Sequence, residues 1–190
     1  MKNIFYTLFI GLFFSFSNAQ TIVDMAGKRQ NEHYENGTYY IKDINNYMLP
    51  YLGTWKYVDG NKEFRITLTK VTKHHVVYTD YNINHYIDGL RIQYQKYENG
   101  QLIYNSIVRQ NPTGIIKEFR KLNMSFTDYE RNNEIFPVDL LLIPLNNMGT
   151  PQYKLKFKLD KFERRNTYYE QHPNEPYFSV PDNIEMIKMN

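Results

Sequence analysis

Residues 53–72 read GTWKYVDGNKEFRITLTKVT, and this stretch decides the fold class. Apolar side chains occupy alternate positions in its second half: Phe64, Ile66 and Leu68. This two-residue period is typical of a β-strand that buries one face. The step Asp59-Gly60 predicts a tight turn after a first strand over Gly53–Val58. The stretch therefore predicts a β-hairpin.

Further strand-like segments follow at short intervals, and Asn99-Gly100 is the strongest hairpin turn signal among them. The predicted strands after the first are Glu63–Thr72, Val76–Asp80, Leu90–Glu98, Gln101–Val108, Ile115–Phe119, Asn123–Thr127, Val138–Ile143, Lys154–Lys161 and Ile184–Met189. Val138–Ile143 is largely apolar between two prolines, which predicts burial on both faces. We expect an all-β fold: one antiparallel barrel or strongly bent sandwich of about eight strands.

The whole chain is predicted to have three parts. Residues 1–19 combine Lys2, a 13-residue apolar stretch and a small-x-small end at Ala19, which predicts an export signal cleaved after Ala19. Its apolar stretch is short for a membrane span. Residues 20–37 are predicted to be a polar leader, and residues 38–190 form the β domain. Asp43 is expected to cap a short helix over Ile44–Met48.

Composition supports the same fold class and excludes several others. After residue 19 the chain has one alanine, whereas residues that favour strands are abundant. The formal net charge of +3 comes from mixed charges without a basic run, so we expect no nucleic-acid partner. The chain has no cysteine, which excludes disulfides and thiolate metal sites. Strands of five to nine residues are short for an outer-membrane barrel, so we expect a soluble, non-transmembrane protein.

A metal site in this chain would need several histidine side chains that reach one ion. His74 and His75 are adjacent, so on a strand they point to opposite faces, and His85 with Asp80 or Asp88 would have to complete the set. We expect ordinary surface histidines and neither a metal nor a cofactor. The serines that remain after residue 19 do not lie in a nucleophile elbow: Ser106, Ser125 and Ser179.

Acidic side chains at strand ends leave a hydrolase as the least favoured function: Glu63, Asp80, Glu98 and Glu118. We expect no enzyme activity. Tyrosines could stack on a ligand or face a protein partner, although tyrosine is also an ordinary strand residue. The most prominent are Tyr39, Tyr40, Tyr94, Tyr97, Tyr104, Tyr168 and Tyr169.

Several motifs together resemble a family of small exported proteins of Bacteroidota known as a domain of unknown function. They are Leu52–Tyr57, the strand with Phe64, Ile66, Leu68 and Lys70, the Asn99-Gly100 turn before Tyr104-Asn105-Ser106, and Phe178–Pro181. The resemblance covers roughly residues 45–190 and implies export and a β-rich fold. It implies no activity.

The chain more distantly resembles lipocalins, through Gly53-x-Trp55 and Thr127-Asp128-Tyr129. This resemblance implies that Trp55 closes one barrel end under a basic residue, for which Arg164 and Arg165 are candidates. We therefore expect a small apolar or amphipathic ligand, held in a barrel mouth. The expected ligand residues are Trp55, Tyr57, Phe64, Ile66 and Leu68. A periplasmic or cell-surface module that binds a protein partner is the alternative.

Overall fold

The computed structural model describes residues 20–27, 31–108, 111–118, 120–145, 152–161 and 167–189. The strands are β1 (Thr21–Asp24), β2 (Tyr39–Lys42), β3 (Gly53–Asp59), β4 (Lys62–Tyr78), β5 (Ile83–Glu98), β6 (Gln101–Asn105), β7 (Ile115–Glu118), β8 (Lys121–Asp128), β9 (Glu134–Leu145), β10 (Gln152–Leu159) and β11 (Asn183–Lys188). The α-helix α1 covers Thr167–Gln171, and 3₁₀ turns cover Asn31–Tyr34, Leu49–Tyr51 and Thr79–Tyr81. Within these ranges no helix has the length and apolarity needed to cross a membrane.

All eleven strands belong to one sheet, in the order β1-β2-β5-β4-β3-β11-β10-β9-β8-β7, with β6 paired to β5. The all-β prediction is confirmed. The predicted barrel or sandwich is wrong, because the single sheet does not close and does not divide into two. On the outer edge of β5, β2 pairs with Tyr86 and Ile87 and β6 pairs with the end of the strand. Between them, Leu90 makes an isolated bridge to Thr113, just before β7.

Strands β4 and β5 form a longer hairpin than the sequence predicts. The segments predicted as Glu63–Thr72 and Val76–Asp80 are one strand, which continues through an irregularity at Lys73, whose φ is +51°. Asp88-Gly89 lies inside β5 and makes no turn. The part of β5 that extends beyond the predicted strand pairs with β2, and β2 pairs with β1. Both of these pairings are parallel. Strand β1 therefore lies within the segment predicted as a polar leader.

Two local predictions are wrong. Residues 44–48 form turns instead of a helix, and a 3₁₀ turn over Leu49–Tyr51 follows, with Pro50 near its start. Asp43 accepts hydrogen bonds from the backbone N–H groups of Tyr47 and Met48. Its carboxylate therefore stabilises this turn and does not cap a helix. Strand β9 is buried on one face only, and Leu141 is 41% exposed.

The sheet curls so that its inner face packs against itself. Phe157 of β10 contacts Phe64 of β4 and Phe126 of β8, with both pairs of ring centroids 5.7 Å apart. Tyr94 of β5 packs against Phe126 at 5.1 Å. Burial of these aromatic surfaces stabilises a chain that has no cysteine and therefore no disulfides.

A buried polar network fixes the N-terminal strands to the long hairpin. The carboxylate of Asp88 accepts hydrogen bonds from the Tyr40 hydroxyl and from the backbone N–H groups of Asp43 and Lys73. Lys70 donates to the Asp43 carboxylate at 2.8 Å. Because these buried carboxylates are paired, the network holds β2 against β5.

Candidate functional site

A cleft of about 290 Å³, here called the end cleft, opens where the β3–β4 and β5–β6 turns lie together. Tyr57 and Phe64, which are cross-strand partners in β3 and β4, form its aromatic wall. The two turns are joined by a hydrogen bond from the Asn99 N–H to the Asn61 carbonyl, at 2.9 Å, and by one between their side chains. This end of the sheet is therefore held in one geometry.

A β-bulge places an apolar side chain at the end cleft. Lys96 pairs with Tyr104 and Tyr97 pairs with Leu102, which leaves Ile103 as an extra residue on β6. Bulges of this kind redirect a side chain relative to the regular alternation of a strand. Ile103 lines the cleft, although it is 55% exposed.

Lys96 joins three parts of the chain at the cleft wall. Its ammonium group donates to both carboxylate oxygens of Glu130, at 2.9 and 3.1 Å, and to the Ser179 carbonyl at 3.2 Å. Glu130 follows β8, whereas Ser179 precedes β11. Glu130 neutralises the charge of Lys96. The Lys96 side chain therefore holds the segments of Glu130 and Ser179 together beside the cleft.

The opposite wall is a C-terminal segment that Asp128 holds in place. The Asp128 carboxylate is fully buried and accepts hydrogen bonds from the Ser179 N–H, at 2.8 Å, and from its hydroxyl. Burial raises the pKa of Asp128, and the hydrogen bonds from Ser179 oppose this rise. Ser179 and Pro181 then line the cleft.

The rim carries charges of both signs. Lys62 pairs in register with Glu98 and Asp59, and within the described ranges none of the three forms an ion pair. Glu63 is paired with Arg65, whose guanidinium lies 4.0 Å from the centre of the Tyr97 ring. The cleft thus combines an apolar wall with one ammonium group and two carboxylates at its mouth, which are cross-strand neighbours without a close ion pair in the described chain.

The five predicted ligand residues do not lie together at one surface. Tyr57 and Phe64 line the end cleft. Trp55, Ile66 and Leu68 are at most 1% exposed and lie in the packed core. The interior beside these three residues is filled by side chains of facing strands, so the cleft is confined to the end of the sheet.

Trp55 is buried in the core, and a basic side chain lies over its ring. The Lys188 ammonium is 5.3 Å from the centre of the Trp55 ring, and the indole N–H donates to the Tyr51 carbonyl at 2.8 Å. The expected candidates Arg164 and Arg165 lie outside the described residues. Lys188 follows from the register of β11 with β3, which sequence alone does not reveal.

The histidines and serines serve local structure. His75 stacks on Tyr86 and bonds the Asn84 side chain at 2.8 Å, whereas His85 is buried. Over the ranges that the structure covers, no three metal-binding side chains come together. The Ser106 hydroxyl accepts a hydrogen bond from the Tyr94 N–H, a structural contact.

Residues 1–120 match a family of unknown function, DUF6705. The chain belongs to this family. The DUF6705 match includes β1 to β7 and the aromatic wall of the end cleft, but ends before the Phe178–Pro181 motif. No curated protein and no solved structure matches the chain.

Proposed function

We propose that this DUF6705 protein is an exported, non-catalytic protein that holds a small amphipathic ligand in the end cleft. The observation that carries the proposal is a cleft of about 290 Å³ with an aromatic wall and a charged mouth. Ligand sites in proteins are typically about 300–1,000 Å³, with apolar walls and a few polar groups. The volume therefore favours a small ligand.

The chemistry of the walls favours a ligand with an apolar body and a polar end. Tyr57, Phe64, Ile103 and Pro181 offer apolar surface. Lys62 offers an ammonium group at the mouth, where Asp59 and Glu98 are its cross-strand neighbours and no ion pair forms within the described chain. An aromatic or aliphatic body would pack against the wall, while an anionic or hydroxylated end would reach Lys62.

The proposal keeps two features of the sequence analysis. Export rests on the composition of residues 1–19 and on the resemblance to exported proteins of Bacteroidota. A lipocalin-like mode of binding rests on the distant resemblance to lipocalins and on the position of the cleft at one end of the sheet. In this protein the ligand would rest on the sheet end and not in a deep interior.

Native mass spectrometry of protein from the periplasm or medium of its own host tests the proposal. We expect a co-purifying mass of a few hundred daltons at most, on a polypeptide that begins at Gln20. Ile103→Glu should remove this mass, because it places a carboxylate at the apolar wall. Leu102→Glu is the matched control, since Leu102 is equally exposed on the same strand but does not line the cleft.

Bare wild-type protein would contradict the ligand proposal. Equal retention of the mass by both variants would place the ligand elsewhere. If the isolated polypeptide still begins at Met1, the proposed export is contradicted, but the ligand proposal is not.

A protein partner is the second candidate function, and one observation favours it. Strand β6 and the residues after it expose four aliphatic side chains: Leu102, Ile103, Ile107 and Val108. Residues 101–108 contain no charge, proline or glycine, and exposed edges of this kind pair readily with other strands. In the same mass spectra, a co-purifying protein that is lost in both Leu102→Glu and Ile103→Glu would support this function.

A further inference from the structure

One lysine lies beside two buried carboxylates. The Lys70 ammonium is 2.8 Å from Asp43 Oδ2 and 3.9 Å from Asp88 Oδ2. The two aspartate side chains are at most 2% exposed, and the lysine side chain is 20% exposed. Among the ion pairs of the described residues, only Lys70 lies near two carboxylates. An amine, a carboxyl group and a second acid are therefore held together away from bulk water.

Backbone donors distinguish the two carboxylate oxygens of Asp43. The Tyr47 N–H donates to Oδ1 at 2.8 Å. The Met48 N–H donates to Oδ2 at 3.1 Å, and Lys70 donates to this same oxygen. Fixed N–H donors stabilise the negative charge that develops on an oxygen when a nucleophile attacks the adjacent carbon. Oδ1 thus has the surroundings of an oxyanion, and Oδ2 lies next to the group that would displace it.

Asp88 is oriented for proton transfer by three donors. Its carboxylate accepts hydrogen bonds from the Tyr40 hydroxyl and from the backbone N–H groups of Asp43 and Lys73. The 3.9 Å between Asp88 Oδ2 and Lys70 Nζ is longer than a hydrogen bond. Such contacts are often long in resting sites and shorten as the reaction begins. Asp88 is therefore the group placed to exchange protons with the amine.

We propose that Lys70 and Asp43 form an intramolecular isopeptide bond, with Asp88 as the acid–base catalyst. Asp88 accepts a proton from the ammonium group, and Nζ attacks the carboxyl carbon of Asp43. The bond from this carbon to Oδ2 breaks, and Oδ2 leaves as water with two of the three ammonium protons. The product is a neutral amide, and Asp88 returns to its starting state. The step needs no oxidant and no cofactor.

The position of the pair favours this condensation. The 2.8 Å contact keeps the amine beside the carboxyl group, so no encounter between separate molecules is needed. The reaction replaces two charges in a largely buried place with a neutral amide, which removes the cost of keeping them from water. The bond would also close a loop from residue 43 to residue 70 in a chain that has no cysteine for a disulfide. The proposal does not depend on the end cleft.

Intact mass spectrometry of the denatured protein, with a peptide map, tests the proposal. We expect the wild-type chain to be one water, about 18 Da, lighter than its sequence, and a branched peptide to join Lys70 to Asp43. Lys70→Arg keeps the charge but not the amine, and Asp88→Asn removes the proton acceptor, so both should have their full sequence mass. Lys158→Arg is the matched control, because Lys158 lies 2.8 Å from Asp160 in an exposed pair and should form no bond.

A folded wild-type protein with its full sequence mass would overturn the proposal, whether or not the variants fold. A loss of water that persists in Lys70→Arg would also overturn it, since the loss would then arise elsewhere. A branched peptide that persists in Asp88→Asn would contradict the catalytic role of Asp88. Ile103→Glu, in the end cleft, should keep the branched peptide, so this proposal and the ligand proposal can fail separately.

Discussion

Asp80 and Asp128 occupy the same position in two similar segments, Tyr78–Tyr81 and Phe126–Tyr129, yet their environments are opposite. Asp80 is exposed in a 3₁₀ turn. Asp128 is buried, and its carboxylate holds the Ser179 N–H and hydroxyl. Four letters of sequence therefore do not determine the role of an aspartate, because the role depends on the segment that packs over it.

Asp128→Ala should lower the free energy of unfolding by about 1–3 kcal/mol, because the half-buried N–H and hydroxyl of Ser179 lose their acceptor. Asp80→Ala, the control in the similar segment, should change it by less than about 0.5 kcal/mol. Urea denaturation followed by tryptophan fluorescence of Trp55 measures both values. Equal small effects would mean that Asp128 does not hold the C-terminal segment.

The long β4–β5 hairpin shows how an element can override a local turn signal. Asp88-Gly89 has the composition of a tight turn, but both residues lie inside β5. Asp88 is needed there for the polar network with Tyr40. Gly89 is needed because Pro112 approaches too closely for any side chain. Asp88 and Gly89 both make contacts with other segments, and these contacts favour their place inside a strand over a turn.

Gly89→Ala should destabilise the protein by about 1–3 kcal/mol, because the added methyl group overlaps Pro112. Pro112→Gly removes the overlapping atoms, so the double variant should be more stable than the sum of the single effects by about 1 kcal/mol. Thermal or urea unfolding of the four proteins gives this coupling energy. Strict additivity would contradict the contact.

At the scale of the whole molecule, one aromatic cluster joins the two halves of the curled sheet. Phe157 lies between Phe64 on the β3–β5 side and Phe126 on the β8–β9 side. All three side chains are at most 3% exposed. Because the core is shared, we expect the described strands from β3 onward to unfold together.

Phe157→Ala should therefore cost about 3–5 kcal/mol and leave a single unfolding transition. Tyr81→Ala removes an aromatic side chain that is 78% exposed and should have an effect below about 0.5 kcal/mol. Circular dichroism and fluorescence recorded on the same samples test whether the transitions coincide. Two separate transitions would mean that the halves have independent cores.

Periodicity predicts much of the fold because alternation is local. The burial of Phe64, Ile66 and Leu68 follows directly from their two-residue spacing. The parallel strand β1 has no such signal, since its four residues are exposed or half-buried. The apolar run in β9 predicts burial on both faces, but Leu141 lies on an exposed outer face, because apolar residues also occur at protein surfaces.

The candidate site was only partly predictable for a related reason. Tyr57 and Phe64 carry the apolar strand pattern and were identified with it. Ile103, Lys96 and Ser179 reach the end cleft through a bulge and through contacts 34 and 83 residues apart in sequence. Such contacts leave no periodic signal.

Sequence by itself determined that this chain forms strands, and which face of the β3–β4 hairpin and of β10 is apolar. These properties depend on neighbours two to four residues away. Tertiary structure alone decided that the strands form one open curled sheet, that Lys188 covers Trp55, and that Asp128 holds the segment at Ser179. Those outcomes depend on strand order and long-range register, which are set by packing of the complete chain.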